Sequence, residues 1–382
     1  MRDVNTINWA NAIVRPQRML LRHDLGALHR DLTDINSVTG NENAVGEYLS
    51  ASLLSQGYHV EKQYVDYKAG RFNVYAYPGH KRETKLLVTS HMDTVPPYFP
   101  YHIRQGLITG RGSVDDKASL AAQIVAVNSL LLSRKLAIDD VALLFVVGEE
   151  TGGDGMRAAN ELGLRPQVVI FGEPTDGKLV SGHKGNLGLQ ITAQGKSVHS
   201  GYPWLGRSAN EVLIKAVTAL MELELELPTS KKYGASTINI GRIEGGVASN
   251  VVAERASADI AIRIAAGDPA FIRREVEGAV RHAMQPYLDE ETRLHDVIEL
   301  KFPTSGYGPV DIDHDVAGFD VTTVNYGTDI HWLKSTVDGQ KRYLYGPGSI
   351  LVAHSEDEGL KVTELSDGVD GYERIICSAL HL

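Results

Sequence analysis

The chain has 382 residues, 43% of them apolar and 23% charged, with a net charge of −10. At roughly 100–200 residues per domain, that length suits about two soluble domains. The acidic balance argues against binding to a nucleic-acid backbone, which needs a basic surface. A single cysteine, Cys377, excludes a disulfide framework and a cysteine-held metal.

The N-terminal segment MRDVNTINWANAIVRPQRMLLRHDLG is broken by charges throughout and lacks the apolar core of a signal peptide. No apolar run approaches the ~20 residues of a membrane span. The cytoplasm is the expected compartment, with no membrane or nucleic-acid partner. Residues 23–38 and 42–57 carry apolar side chains at helical spacing, and 72–79 and 85–93 read as strands. A strong helix is expected over 117–134. VALLFVVGEE (141–150) and QVVIFGEP (167–174) are continuous apolar runs, as expected of strands buried on both faces of a sheet. This alternation implies an α/β architecture: a three-layer domain around a mostly parallel central sheet.

The pattern changes after His183. Strand 185–195, helix 208–227, strands 236–246 and 255–266, helix 268–287 and strand 296–302 give β-α-β-β-α-β. That order predicts a ferredoxin-like α+β domain at 184–298, inserted between 1–183 and 299–382. Asp268 and Pro269 are the expected N-cap and first residue of the second helix. Helices are expected at 328–337 and 363–382, with a strand at 341–348 between them. Cys377, in ERIICSAL, reads as a core residue of the last helix.

Five segments carry the chemistry: SHMDTVP (90–96), GRGSVDDK (110–117), VVGEETGG (146–153), IFGEPTD (170–176) and GPGSILVAH (346–354). Each falls where a strand should end and a loop begin. Ligands of open α/β sheets gather outside the carboxyl ends of strands. Zinc accepts imidazole nitrogen and carboxylate oxygen, and two-metal hydrolytic sites need such ligands a few ångströms apart. Asp93, two residues after His91, could accept the second imidazole N–H. In DDK one aspartate could bridge while the other points away or caps the helix. In GEE the side chains diverge, so one can face metal and the other a nucleophilic water. Taken singly, these motifs are ordinary: a lone strand-end histidine is usually structural, Asp-Asp before a helix usually a cap, and Glu-Glu after a strand usually a solvated turn. Five together in one chain make a hydrolase the leading reading.

In this order and spacing the motifs resemble the co-catalytic zinc peptidase family, which includes acetylornithine deacetylase, succinyl-diaminopimelate desuccinylase, aminoacylase and glutamate carboxypeptidase. The resemblance covers about residues 25–382. It implies two Zn2+ per subunit, with Co2+ or Mn2+ able to occupy the same ligands. His91, Asp115 and Glu173 would hold one ion. Asp115, Glu150 and His354 would hold the other, with Asp115 bridging. Glu149 matches the general base and Asp93 the residue that orients His91. GKSVHSGYP (195–203) resembles the segment whose histidine, here His199, reaches the partner subunit's site. Asn250, Arg263, Gly327 and Thr328 match substrate-contacting positions, with Arg263 on a substrate carboxylate. Tyr326 stands where the family has a glycine.

GEPT and HKG align best with the acetylornithine deacetylase branch, while HSGYP also resembles a carboxypeptidase branch. The implied reaction is hydrolysis of an N-acyl amino acid, acetylornithine-like, by metal-activated water with Glu149 as base. Alternatives are a carboxypeptidase or dipeptidase acting on small peptides, an amide-processing enzyme of secondary metabolism, and a non-catalytic binding relative. The apolar positions of helix 208–227 exceed what one small sheet should cover, so a homodimer through the inserted domain is expected.

Overall fold

A computed structural model describes residues 19–382; the signal-peptide reading of residues 1–18 lies outside the described residues. Two compact units divide the chain. One comprises the chain up to Ser181 together with Ile312–Thr322 and Thr328–Leu382; the other is Gly182–Asp311 with Thr323–Gly327.

The first unit is built on a six-stranded mixed sheet. Its order is His59–Asp66, Arg71–Tyr77, Val141–Val146, Leu86–His91, Val168–Gly172, Lys341–Tyr345. The last four strands run parallel, and Arg71–Tyr77 joins them antiparallel. Every residue of Leu86–His91, Val141–Val146 and Val168–Gly172 is buried. This explains their unbroken apolar runs, because helices cover both faces of a central parallel strand. The Lys117–Leu132 helix is buried on almost all sides and packs against Leu25–Asp34 and Val362–Ala379.

Parallel register sets the site. His91 lies beside Val146, and Thr89 beside Phe171. Glu149, Glu150 and Glu173 therefore emerge just past the same sheet edge as His91.

The second unit is a four-stranded antiparallel sheet of order Thr237–Gly245, Arg255–Ile264, Gly185–Gln194, Ile298–Lys301. Helices Ala209–Glu224 and Pro269–Met284 share one core with it. Leu187, Leu189, Ile191 and Ala193 alternate inward along the first strand. Asp268 accepts the Phe271 N–H at 2.8 Å, with Pro269 opening the helix. On Ala209–Glu224, Ile214 and Met221 remain exposed, as do Ile243 and Val247.

Two expectations need correction. The helix expected at 328–337 is only a 3-10 turn, Asp329–His331. The Asn160 side chain takes over its continuation: its oxygen accepts Lys334 N–H at 2.8 Å and its nitrogen donates to Trp332 O at 2.9 Å. His59–Asp66, not anticipated as a strand, pairs with Arg71–Tyr77 at the sheet edge. Its side chains are mostly half-buried and charged or polar, which conceals the period. Among the described residues no helix is long and apolar enough to cross a membrane.

Candidate metal centre

The first unit holds eight of the expected residues and gathers seven of them, all but Thr328, around one centre. Asp115 stands at the middle. Its Oδ1 lies 2.9 Å from His91 Nε2, and its Oδ2 lies 3.3 Å from His354 Nε2. His354 Nε2 is also 3.1 Å from a Glu150 carboxylate oxygen. Ligand atoms of His91, Asp115 and Glu150 lie within 4.8 Å of one another, as do those of His91, Glu149 and Glu173. One carboxylate thus offers one oxygen to each of two histidines, and the glutamates flank both sides.

Asp93 ties two of these segments together. It is fully buried, accepting Glu149 N–H at 3.1 Å on Oδ1 and Glu150 N–H at 3.3 Å on Oδ2. Thr39 Oγ1 donates to Oδ2 at 2.7 Å. His91 Nδ1 is 3.0 Å from the Asp93 backbone carbonyl and 3.5 Å from its carboxylate, so the backbone is the nearer acceptor. Gly148 enters the GEE turn at φ +74°, where a Cβ would collide with the Asp154 carboxylate. Arg71 braces that turn, forking onto Glu42 at 2.8 Å and reaching Asp154 at 2.7 Å.

The electrostatics describe a centre short of positive charge. Burial, then the charges of Asp329 and neighbouring carboxylates, drives Glu149 well above the usual carboxylate range. Burial, then Glu149 and Asp115, does the same to Glu173. Glu150 is raised by burial and by Asp115. Burial would raise Asp115 too, but its two histidine partners outweigh that and lower it. Burial would lower His91, yet Asp115 and Asp93 hold it well above its ordinary value. His354 is pushed up to about 10 by hydrogen bonds to Asp115 and Glu150. Among the described residues, Asp115, Glu149, Glu150 and Glu173 form no ion pair with lysine or arginine. The donor set, two buried carboxylates (Asp115, Glu173), two half-buried ones (Glu149, Glu150) and two imidazoles without a cationic side chain, fits a pair of divalent ions.

Asp116 forms no capping bond to the helix that follows. Its carboxylate is buried against Ser90 and Ser119, and burial lifts it to about 7. Thr328 is buried and caps the 3-10 turn through Ile330 N–H at 3.3 Å. Sequence reasoning passed over its neighbour Asp329, which is also buried and lifted to about 7, chiefly by burial. Glu358 was missed as well. HSEDEG offers three acids after His354, and no periodicity distinguishes them.

His199, Asn250, Arg263 and Gly327 belong to the second unit. Ser200 N–H donates to Asn250 O at 3.0 Å, and His199 pairs with Val251 across a β-bridge, so the first two share one corner. Arg263 Nη1 lies 3.5 Å from where a Cβ on Gly327 would stand, and Tyr307 Oη closes the same space. This unit therefore holds two groups, His199 with Asn250 and Arg263 with Gly327.

Fold and centre define a metal-dependent hydrolase with an inserted α+β domain. Residues 181–288 match the model of the peptidase dimerisation domain. A "Probable carboxypeptidase" of Arthroderma gypseum is 45% identical over 95% of this chain and 86% of its own length. Among solved structures, a tripeptidase of Staphylococcus aureus superposes with TM-score 0.76 at 22% identity, covering 95% of this chain and all of that one. An M20 family metallo-carboxypeptidase of Sulfolobus solfataricus gives 0.72 at 18% identity, covering 94% and 99%. The chain belongs to the M20 peptidase family. It is a hydrolase acting on peptide or amide bonds.

Proposed function

We propose that this chain is a two-metal carboxypeptidase that removes the C-terminal residue of short peptides. One observation carries the chemistry: the two oxygens of Asp115 face His91 and His354 separately, the arrangement a bridging ligand needs. The substrate reading is supported by the carboxypeptidase name of the 45%-identical relative. An acetylornithine-like N-acyl amino acid presents the same amide beside a free carboxylate, so it is the competing substrate.

In this reading His91, Asp115 and Glu173 hold one ion, and Asp115, Glu150 and His354 the other; Zn2+ suits these ligands, as do Co2+ and Mn2+. When bound, such ions lower the pKa of water and polarise the scissile carbonyl. Glu149 takes a proton from the attacking water and delivers it to the leaving amine nitrogen. Asp93 fixes the backbone of the GEE turn and so aims Glu149. Arg263 takes the substrate's free carboxylate; it is half-buried and lies beside Gly327 and Tyr307. Asn250 and Thr328 complete substrate contact. His199 serves the partner subunit of a homodimer, where it stabilises the oxyanion. The peptidase dimerisation domain and the exposed Ile214 and Met221 support that assembly.

A panel of dipeptides, tripeptides, their C-terminal amides, and N-acetyl and N-succinyl amino acids tests this. Cleavage of free-acid peptides with sparing of the amides is expected. Equal cleavage of amides would sink the carboxylate role of Arg263. Turnover of N-acetyl amino acids alone would return the enzyme to the deacylases.

A further inference from the structure

Glu358 lies four residues beyond His354 and is 1% exposed. One carboxylate oxygen, Oε1, accepts both Val114 N–H at 3.0 Å and Asp115 N–H at 3.2 Å. The other takes Arg111 Nη1 at 2.6 Å, from a guanidinium that is itself 2% exposed. The Glu358 backbone carbonyl accepts Gly110 N–H at 3.3 Å and Ser113 Oγ at 3.4 Å. Five donors from the 110–115 turn therefore converge on one residue.

The backbone explains how it gets there. Gly359–Lys361 pairs antiparallel with Leu107–Thr109, Gly359 opposite Thr109. That short ladder runs directly into the turn at Gly110. Arg111 is pinned from its far side, with Nε donating to Pro97 O at 3.1 Å and the guanidinium over the Phe99 ring at 4.9 Å. The result is a closed circuit: His354, four residues to Glu358, across to Asp115, and back through Asp115 Oδ2 to His354 Nε2 at 3.3 Å.

We infer that Glu358 is a positioning residue for the metal centre: by holding the Val114 and Asp115 amides it fixes the bridging carboxylate and locks the His354 loop to it. This rests on the two-metal reading above. A buried Arg–Glu pair can be purely structural, and its loss can then act through stability alone. The difference is that only the positioning role depends on the amide acceptor. Two double variants separate the roles. Arg111→Met with Glu358→Leu replaces the ion pair by apolar groups of similar volume, a change such sites often tolerate, but it removes the acceptor. Arg111→Gln with Glu358→Gln also removes the ion pair, but keeps an amide oxygen for Val114 N–H and Asp115 N–H.

Metal-stripped wild type and both variants are titrated with Zn2+ against a chromophoric chelator, well below the melting temperature of each. The Met/Leu variant is expected to bind both ions about 10–100-fold more weakly, the scale of losing a residue that orients a ligand. The Gln/Gln variant is expected within a few-fold of wild type. Equal affinity in the two variants would overturn the inference, as would failure of the Gln/Gln variant to exceed the Met/Leu variant. If either double variant fails to fold, the single variants Glu358→Gln and Glu358→Met replace the pair, with binding within a few-fold of wild type expected of the first and weakened binding of the second; equal binding by the two would overturn the inference. Wild type that takes up two ions but cleaves no substrate on the panel would refute the proposed function and leave this result standing.

Discussion

Asp93→Asn perturbs the joint between two ligand-bearing turns without changing side-chain shape. Asp93 is sealed from solvent and accepts Glu149 N–H on one oxygen and Glu150 N–H with Thr39 Oγ1 on the other. An amide keeps one acceptor oxygen and turns a donor toward whatever the other oxygen held. If the Oδ2 contacts are kept, Glu149 N–H faces an NH2 group. Losing one hydrogen bond to a charged acceptor costs about 1.5–3 kcal/mol. Mutating an outer-shell residue that supports metal ligands weakens metal binding about 10–100-fold, or about 1.4–2.8 kcal/mol at ~1.4 kcal/mol per decade. The two figures agree in scale, so stability and metal affinity should fall together. Thermal denaturation of the metal-free protein gives the first and chelator competition the second. Excess metal should restore occupancy but not kcat, because Glu149 is displaced along with the turn. An Asp93→Asn variant with wild-type metal affinity and wild-type kcat/KM would refute the idea that this carboxylate holds the centre together.

Glu149→Gln should bind metal normally while kcat falls about 10²–10⁴-fold, the usual contribution of a general base; metal analysis and steady-state kinetics check both. Arg263→Ala should raise KM for free-acid peptides with little effect on metal content, and Arg263→Lys should restore it poorly, since an ammonium cannot fork onto a carboxylate. His354 has a pKa raised to about 10 by Asp115 and Glu150. A raised histidine stabilises the metal-free fold fully below the unfolded value, about 6.5, and that contribution disappears as pH rises through about 10. The melting-temperature gap between wild type and His354→Asn, both metal-free, should therefore shrink across that window. Zinc must displace the same proton, so apparent affinity should rise over the same range.

Much of this architecture was legible before folding. The buried parallel strands announced themselves because both faces are covered, so no polar period interrupts them. The inserted unit showed because its strands face a core on one side only, and Gly185–Gln194 alternates accordingly. The helix expected at 328–337 failed for a tertiary reason, since Asn160, far away in sequence, captures the backbone at Trp332 and Lys334. Strand His59–Asp66 was hidden because an edge position leaves most of its residues half-exposed.

The metal centre divides in the same way. The candidate ligand types were written in five strand-end segments, because imidazole and carboxylate are the only metal-ligating side chains those positions supply. Chemistry of that kind is local to each residue, so sequence alone determined it. Which oxygen of Asp115 meets which histidine, why Asp116 is buried against Ser90 and Ser119 instead of capping a helix, and that Glu358 among three neighbouring acids holds the Asp115 amide were decided only by tertiary structure. Those outcomes depend on parallel register, on a short ladder between residues 107–109 and 359–361, and on burial. No stretch of chain carries that information until distant segments are brought within hydrogen-bond range.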